Sequence, residues 1–296
     1  VSKDDLGQYD PEGIPFILNE LNSAKSILNN RYVMLVQRYA PGGKRDTVTG
    51  DVIKSGPVTF SHIGILEWTR RKYQDNYPLS SLYDTIMINS SVTADSLQER
   101  TLSNTLRVDF AAGRTDRFRI GAGAGIRSEL RSYGQVMPGD TLTRPDTVSR
   151  HMNSLVLTGK VFNNIGSKFG WNASGDLWFQ GYRAGDFIVD GRIYKEFKLQ
   201  KMGTVTWDAT GTIASYTPSY WYFTWGSNNF AWQSDQKREF RLMAGSSLQW
   251  PDLNLALKFN YAIVDNFTGM GPDAVPFRND GGLSILALTV KKEFRV

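Results

Sequence analysis

The chain has 296 residues, 34 Lys and Arg against 29 Asp and Glu, two histidines and no cysteine. Without cysteine there is no disulfide framework and no thiolate zinc or iron–sulfur site, and His62 and His151 alone cannot build a His-rich metal centre. The net charge of +5 is spread along the chain rather than gathered into a basic arm, which excludes nucleic acid as a partner, and no window approaches the roughly 20 apolar residues of a membrane-spanning helix.

Residues 1–30 differ from the rest. The polar, acidic start VSKDDLGQYDPEG is not a signal peptide. In GIPFILNELNSAKSILNN, Ile17, Leu18, Leu21, Ala24, Ile27 and Leu28 fall at helical spacing, so a loop or short amphipathic helix is expected over 1–30. From residue 31 onward the period is two, which means strands. Those near 31–40 and 58–70 are the less clean ones. In TLRVDFAA, Leu106, Val108, Phe110 and Ala112 oppose Arg107 and Asp109. In DRFRIGAGAGIRSELRSYG, Phe118, Ile120, Ala122, Ala124 and Ile126 oppose Arg117, Arg119, Gly121, Gly123, Gly125 and Arg127. Further on, Phe169, Trp171, Ala173, Leu177 and Phe179 oppose Lys168, Asn172, Ser174 and Asp176. Phe187, Val189, Ile193 and Phe197 oppose Asp190 and Arg192; Val205, Trp207, Ala209 and Ile213 oppose Asp208 and a row of threonines. Phe240, Leu242, Ala244, Leu248 and Trp250 oppose Glu239 and Arg241, and Leu255, Leu257, Phe259 and Tyr261 oppose Lys258 and Asn260. The last segment, LSILALTVKKEF, begins apolar on both faces, which leaves its parity open.

Many of these strands reach ten residues, where globular strands average about 5–6 and a transmembrane strand needs about 9–11. Short connections at 113–116, 163–167, 199–203 and 251–252 alternate with longer ones near 71–101, 133–150, 217–236 and 265–280; the brief YRAGD at 182–186 is the exception. That rhythm belongs to an all-β, transmembrane, antiparallel up-and-down β-barrel of the outer-membrane type, with about 11–12 strands over residues 31–296. A soluble β-sandwich is the rival; it would turn the apolar faces inward. In the barrel, apolar faces meet lipid and polar faces line the lumen. The expected lumen residues are Arg107, Asp109, Arg117, Arg119, Arg127, Lys168, Asp176, Asp190, Arg192, Asp208, Arg241 and Lys258. They can form cross-strand ion pairs, a charged pore wall with slight anion preference, or both. Tyr133, Trp171, Tyr182, Trp207, Trp225 and Trp250 suit interfacial aromatic girdles, as does the aromatic run 216–232. The odd strand count predicts at least one further strand before residue 1, since single-chain bacterial barrels have an even number.

No catalytic constellation emerges. GAGAGIR has the spaced glycines of a phosphate loop, but alternation runs straight through it, where such a loop must close a strand and open a helix. Ser61 and His62 are neighbours in a strand and point to opposite faces. His151, near Asp146 and Ser149, sits at a loop–strand junction. No enzyme activity, cofactor or metal is expected. The expected partners are outer-membrane lipid and other outer-membrane proteins or further copies of the chain.

IPFILNELNSAKSILNNRYVMLVQRYAPGGKRD followed by GPVTFSHIGILEWTRRKYQDN resembles the putative β-barrel porin family of the Bacteroidetes outer membrane. The resemblance rests on Ile14-Pro15, Arg31-Tyr32, Arg38-Tyr39 and Phe60-Ser61-His62, and extends through LSNTLRVDFAAG to the closing LSILALTVKKEF. It implies a Gram-negative outer-membrane barrel serving as a porin for small hydrophilic solutes or ions, or as a non-conducting accessory subunit of an outer-membrane complex. It implies no catalytic residues and no particular substrate.

Overall fold

A computed structural model describes residues 24–42, 44–45, 52–54, 57–76, 85–115, 118–137, 146–165, 168–200 and 203–294. Eleven strands form one antiparallel sheet: β1 (Lys25–Tyr39), β2 (Val58–Asp75), β3 (Thr93–Thr115), β4 (Phe118–Met137), β5 (Asp146–Ile165), β6 (Phe169–Gly181), β7 (Phe187–Leu199), β8 (Gly203–Tyr216), β9 (Glu239–Trp250), β10 (Leu255–Asp265) and β11 (Leu283–Lys292). Each pairs with its neighbours in the chain, as an up-and-down barrel requires. The sheet is not closed among the described residues: β1 and β11 are its edges, and they run in the same direction. The strand expected before residue 1 lies outside the described residues, as does the helical spacing over residues 1–23. β1 begins at Lys25 rather than at residue 31, so Ile27 and Leu28 are strand residues.

Register carries the apolar positions from strand to strand. Val33, Leu66, Leu102 and Leu130 stand in one row across four strands, and Val189, Ile213, Leu242 and Ile263 in another. These side chains point outward into open space: Val33 is 57% exposed and Leu130 50%. In water such exposure would forfeit the hydrophobic stabilisation that holds a soluble domain together. The buried apolar set among the described residues is small and includes only Tyr133, Val156, Trp178, Val205, Ala214, Tyr220 and Val264. Among the described residues the other sheets are two-stranded hairpins, so no second large sheet faces the first and the sandwich alternative fails on architecture. The parity of β11 is settled by its pairing: Leu286, Leu288 and Val290 share the outward face with Tyr261, Phe259 and Leu257, which leaves Ile285 and Ala287 on the polar face.

The strands differ in length. β2 to β5 have 18–23 residues and β6 to β11 have 10–14. The excess lies at the long-loop end. The β6–β7 turn stops beside the middle of β5, where Gly181 faces Ser154 and the Tyr182 amide donates to the Asn153 carbonyl at 3.0 Å. The connections expected near 71–101 and 133–150 are therefore shorter, since β2 reaches Asp75, β3 starts at Thr93, β4 runs to Met137 and β5 starts at Asp146. In TADSLQERT both faces are polar, so the hydrophobic alternation vanishes while the backbone ladder to β2 and β4 continues. Short turns gather at the other end, together with one longer connection that carries a small Lys44–Arg45/Val52–Lys54 hairpin.

Candidate functional site

The face opposite the apolar rows carries an ion-pair network. Asp109 on β3 accepts from Arg107 Nε at 2.9 Å and lies 3.5 Å from Lys160 Nζ on β5. Those two strands are separated by β4, and the bridge passes over Gly123, which stands opposite both Asp109 and Lys160. A Cβ on Gly123 would lie 2.0 Å from Asp109 Oδ1, and one on Gly121 would lie 2.0 Å from the Phe162 ring. The glycines of GAGAGIR thus keep one side of β4 low enough for its neighbours' side chains to cross it.

Higher on the wall, Arg127 donates to Glu129 at 2.9 Å and to Asp176, two strands away, at 2.9 Å. Glu129 is 6% exposed; it also accepts from Trp178 Nε1 at 3.2 Å and lies 3.5 Å from Arg131 and 3.8 Å from Arg183. The Arg183 guanidinium covers the Trp178 ring at 4.0 Å. Farther round the sheet, Arg192 donates to Asp208 at 2.7 Å, Thr212 donates to Asp190 at 2.7 Å, and Arg241 pairs with Glu239. Lys258 stands opposite Ser247 on the same face. Lys168 precedes β6 in a short turn, and its carbonyl accepts from the Glu196 amide at 2.7 Å. Arg117 and the Arg119 side chain lie outside the described residues.

Residues 217–238, between β8 and β9, form a strap across this face. Both stems rest on Asp186, which is fully buried in the β6–β7 connection. Its carboxylate accepts from Thr217 N at 3.0 Å, Thr217 Oγ1 at 2.9 Å, Arg238 Nε at 3.2 Å and Arg183 Nε at 2.8 Å. A one-turn helix, Tyr220–Phe223, then stacks Tyr220 on Tyr133 of β4 at 4.7 Å, with Trp221 edge-on to Tyr133 at 5.3 Å. A small hairpin, Thr224–Gly226 with Ala231–Gln233, stacks Trp225 on Trp232 at 5.5 Å. At the tip, Asn228 is 2% exposed and locked into the β2–β3 connection. Its amide N–H donates to Asp95 at 2.7 Å, and its Nδ2 donates to the Asn89 carbonyl at 2.9 Å and Thr93 Oγ1 at 2.8 Å. Its Oδ1 accepts from the amides of Ile88 and Asn89 at 3.2 and 2.7 Å. The strap therefore reaches from β8 to β3. Along the sheet that is five strand spacings, roughly 24 Å at about 4.8 Å each. The contact on Tyr133 of β4, one strand before β3, places the crossing on the polar side.

Two sequence expectations change here. Tyr133 and Trp225 are not girdle residues; they pack on each other's neighbours between the strap and the polar face. The run 216–232 turns inward because polar anchors at both stems and at the tip hold it there. Trp171, Trp207 and Trp250 do stand on the outward face near the short turns, the Trp207 indole donating to Ser246 Oγ at 2.9 Å. Tyr182, in the turn beside the strap, has its phenol pushed up to about 12, chiefly by burial. His62 faces outward, 3.1 Å from Gln37 Oε1 and 3.4 Å from Asn104 Oδ1, while Ser61 is buried on the other face, so the two form no catalytic pair. Among the described residues no group of His, Asp and Glu could hold a metal ion. The features that sequence reasoning missed are the anchors Asp186 and Asn228. Their partners lie up to 141 residues away, and only YRAGD's brevity hinted at them.

Comparison with known proteins agrees with this architecture. No curated protein matches the chain. A family model described as putative porin matches residues 3–296. With one long antiparallel sheet, apolar outside and ion-paired on the other face, the chain belongs to the putative porin family.

Proposed function

We propose that the protein is a channel of a bacterial outer membrane, passing small hydrophilic solutes or ions by passive diffusion, without cofactor or chemistry. The supporting observation is the inverted sense of the two faces. Leucine, valine and phenylalanine rows stand outward, where only hydrocarbon would stabilise them, and the charged residues stand where water would fill the interior. Arg107, Asp109, Arg127, Asp176, Asp190, Arg192, Asp208, Arg241 and Lys258 then line the lumen, with short turns in the periplasm and the strap at the outer mouth. Ion pairing divides the wall into local donor and acceptor patches, so selectivity comes from width and local field rather than from one ring of like charge.

The strap favours a second reading. Its hydrogen bonds and packed aromatics could seal the mouth, which would make this a non-conducting accessory barrel of an outer-membrane assembly. Single-channel recording in a planar bilayer under a salt gradient separates the two. Stepwise conductance, with a reversal potential of the sign for modest anion preference, is expected. A bilayer-inserted, folded barrel that passes no current would leave the accessory role.

A further inference from the structure

We propose that the cavity between the strap and the polar side of β1–β3 is a binding site for a neutral saccharide of one to three rings; this rests on the channel reading and names the solute class it favours. The cavity measures about 690 Å³ and is bounded by Trp225, Trp232, Tyr73, Arg71, Asp95 and Asn229, with Met270 closing it from the β10–β11 connection. That volume is in the range of small-molecule sites.

The lining combines two chemistries. Trp225 and Trp232 lie nearly parallel, 14° apart, and the Trp232 indole is fixed by donating to the Trp221 carbonyl at 2.9 Å. Flat rigid aromatic surface, ordered before the ligand arrives, costs little entropy on binding. Beside it, Arg71 and Asp95 sit on adjacent strands: Asp95 stands opposite Tyr73, and Arg71 opposite Leu97, one step along the same face. One fixed cation and one carboxylate leave the site without net charge, so neither a simple anion nor a simple cation is favoured. A pyranose ring matches both features. Its C–H face is apolar and flat, and its rim of hydroxyls donates to a carboxylate while accepting from a guanidinium. The strap forms one wall of the cavity, so a bound ring would stand at the mouth, next to the segment that narrows it.

The test uses the full chain refolded in detergent and in a planar bilayer. Maltotriose and cellotriose are the saccharide probes, and triglycine is the zwitterionic control. Saturable quenching of tryptophan fluorescence by at least one saccharide, and reversible reduction of channel current by the same one, are expected. Trp225→Ala and Arg71→Gln should each weaken binding about tenfold or more, with heat-modifiable migration on gels verifying that each variant is folded. If Trp225→Ala does not fold, Trp225→Phe serves in its place, with a smaller loss. A channel that conducts but binds neither saccharide, or binds only triglycine, overturns the saccharide site and leaves the channel intact. Saccharide binding that survives both substitutions unchanged overturns it as well. Binding without conduction sinks the channel reading and leaves the site standing.

Discussion

The tall half of the sheet, β2–β5, and the short half, β6–β11, present the same outward face and different inward ones. Outward, both carry apolar rows: Leu66, Leu102 and Leu130 in one half, Ile213, Leu242 and Ile263 in the other. Inward, the tall half carries the glycine-lowered strand, the bridge across it and the Glu129 cluster, and it rises past the β6–β7 turn. The short half ends lower and contributes the strap, which leans across onto Tyr133, Thr93 and Asp95. The lesson is that two constraints act separately. The apolar rows follow from the medium on the outside and are shared by all strands. The extra height follows from backbone pairing between polar segments and appears only where the strap needs a wall to rest on.

Asp186 holds both stems of the strap, and removing it should have the largest effect. Asp186→Ala leaves Arg183, Arg238 and Thr217 without their common acceptor in a buried position, an expected loss of about 3–5 kcal/mol. The loss should be local to the strap: limited proteolysis should cut within 217–238 in the variant and not in the parent, and single-channel current should become noisier. An unchanged digestion pattern would mean the tip anchors suffice to hold the strap. Next in size are substitutions that test the shared face. Leu106→Arg in the tall half and Ile213→Arg in the short half should each destabilise the bilayer-folded state by about 2–4 kcal/mol, as read from urea titration in lipid vesicles. Asn260→Arg, on the polar face of β10 opposite Gly245 and Ala287, should stay within about 0.5 kcal/mol. Equal costs at 213 and 260 would abolish the distinction between the faces.

The sequence makes the shared feature legible and the difference obscure. Alternation identifies a strand's two faces whichever one meets lipid, so Arg107, Arg127, Asp176, Arg192 and Asp208 separate cleanly from their apolar neighbours. It fails over residues 93–101, where polar residues occupy both faces and only interstrand pairing marks the strand. It also fails in β11, where Ile285 and Ala287 sit on the polar side. The strap misleads for a different reason. Trp and Tyr crowd at membrane interfaces, so 216–232 reads as a girdle until Asp186 and Asn228 are seen holding it inward. Such long-range hydrogen bonds leave no local period.

A paired substitution sharpens the inward comparison. Gly123→Ala places a methyl where Asp109 lies, displacing its carboxylate from Arg107 and Lys160, and should cost about 1–3 kcal/mol. Gly159→Ala on the outward side of β5, whose nearest neighbour is the Gly123 carbonyl at 3.9 Å, should change unfolding by less than about 0.5 kcal/mol. Loss at both sites would point to the strands rather than to the crossing side chains.

Apart from those two near-neutral controls, the smallest expected effect has the opposite sign. Gln135, two residues beyond Tyr133 on the same face of β4, is 3% exposed, and neither atom of its amide has a hydrogen-bond partner among the described residues. Burying an amide without partners costs stability that an apolar side chain of similar length would not lose, so Gln135→Met should stabilise the folded barrel by about 1 kcal/mol. The tall half thus holds a polar group that packing alone does not require. If Gln135→Met destabilises instead, the amide has partners in the folded protein, water being the first to look for, and the upper wall beside the strap is wetter than its packing implies.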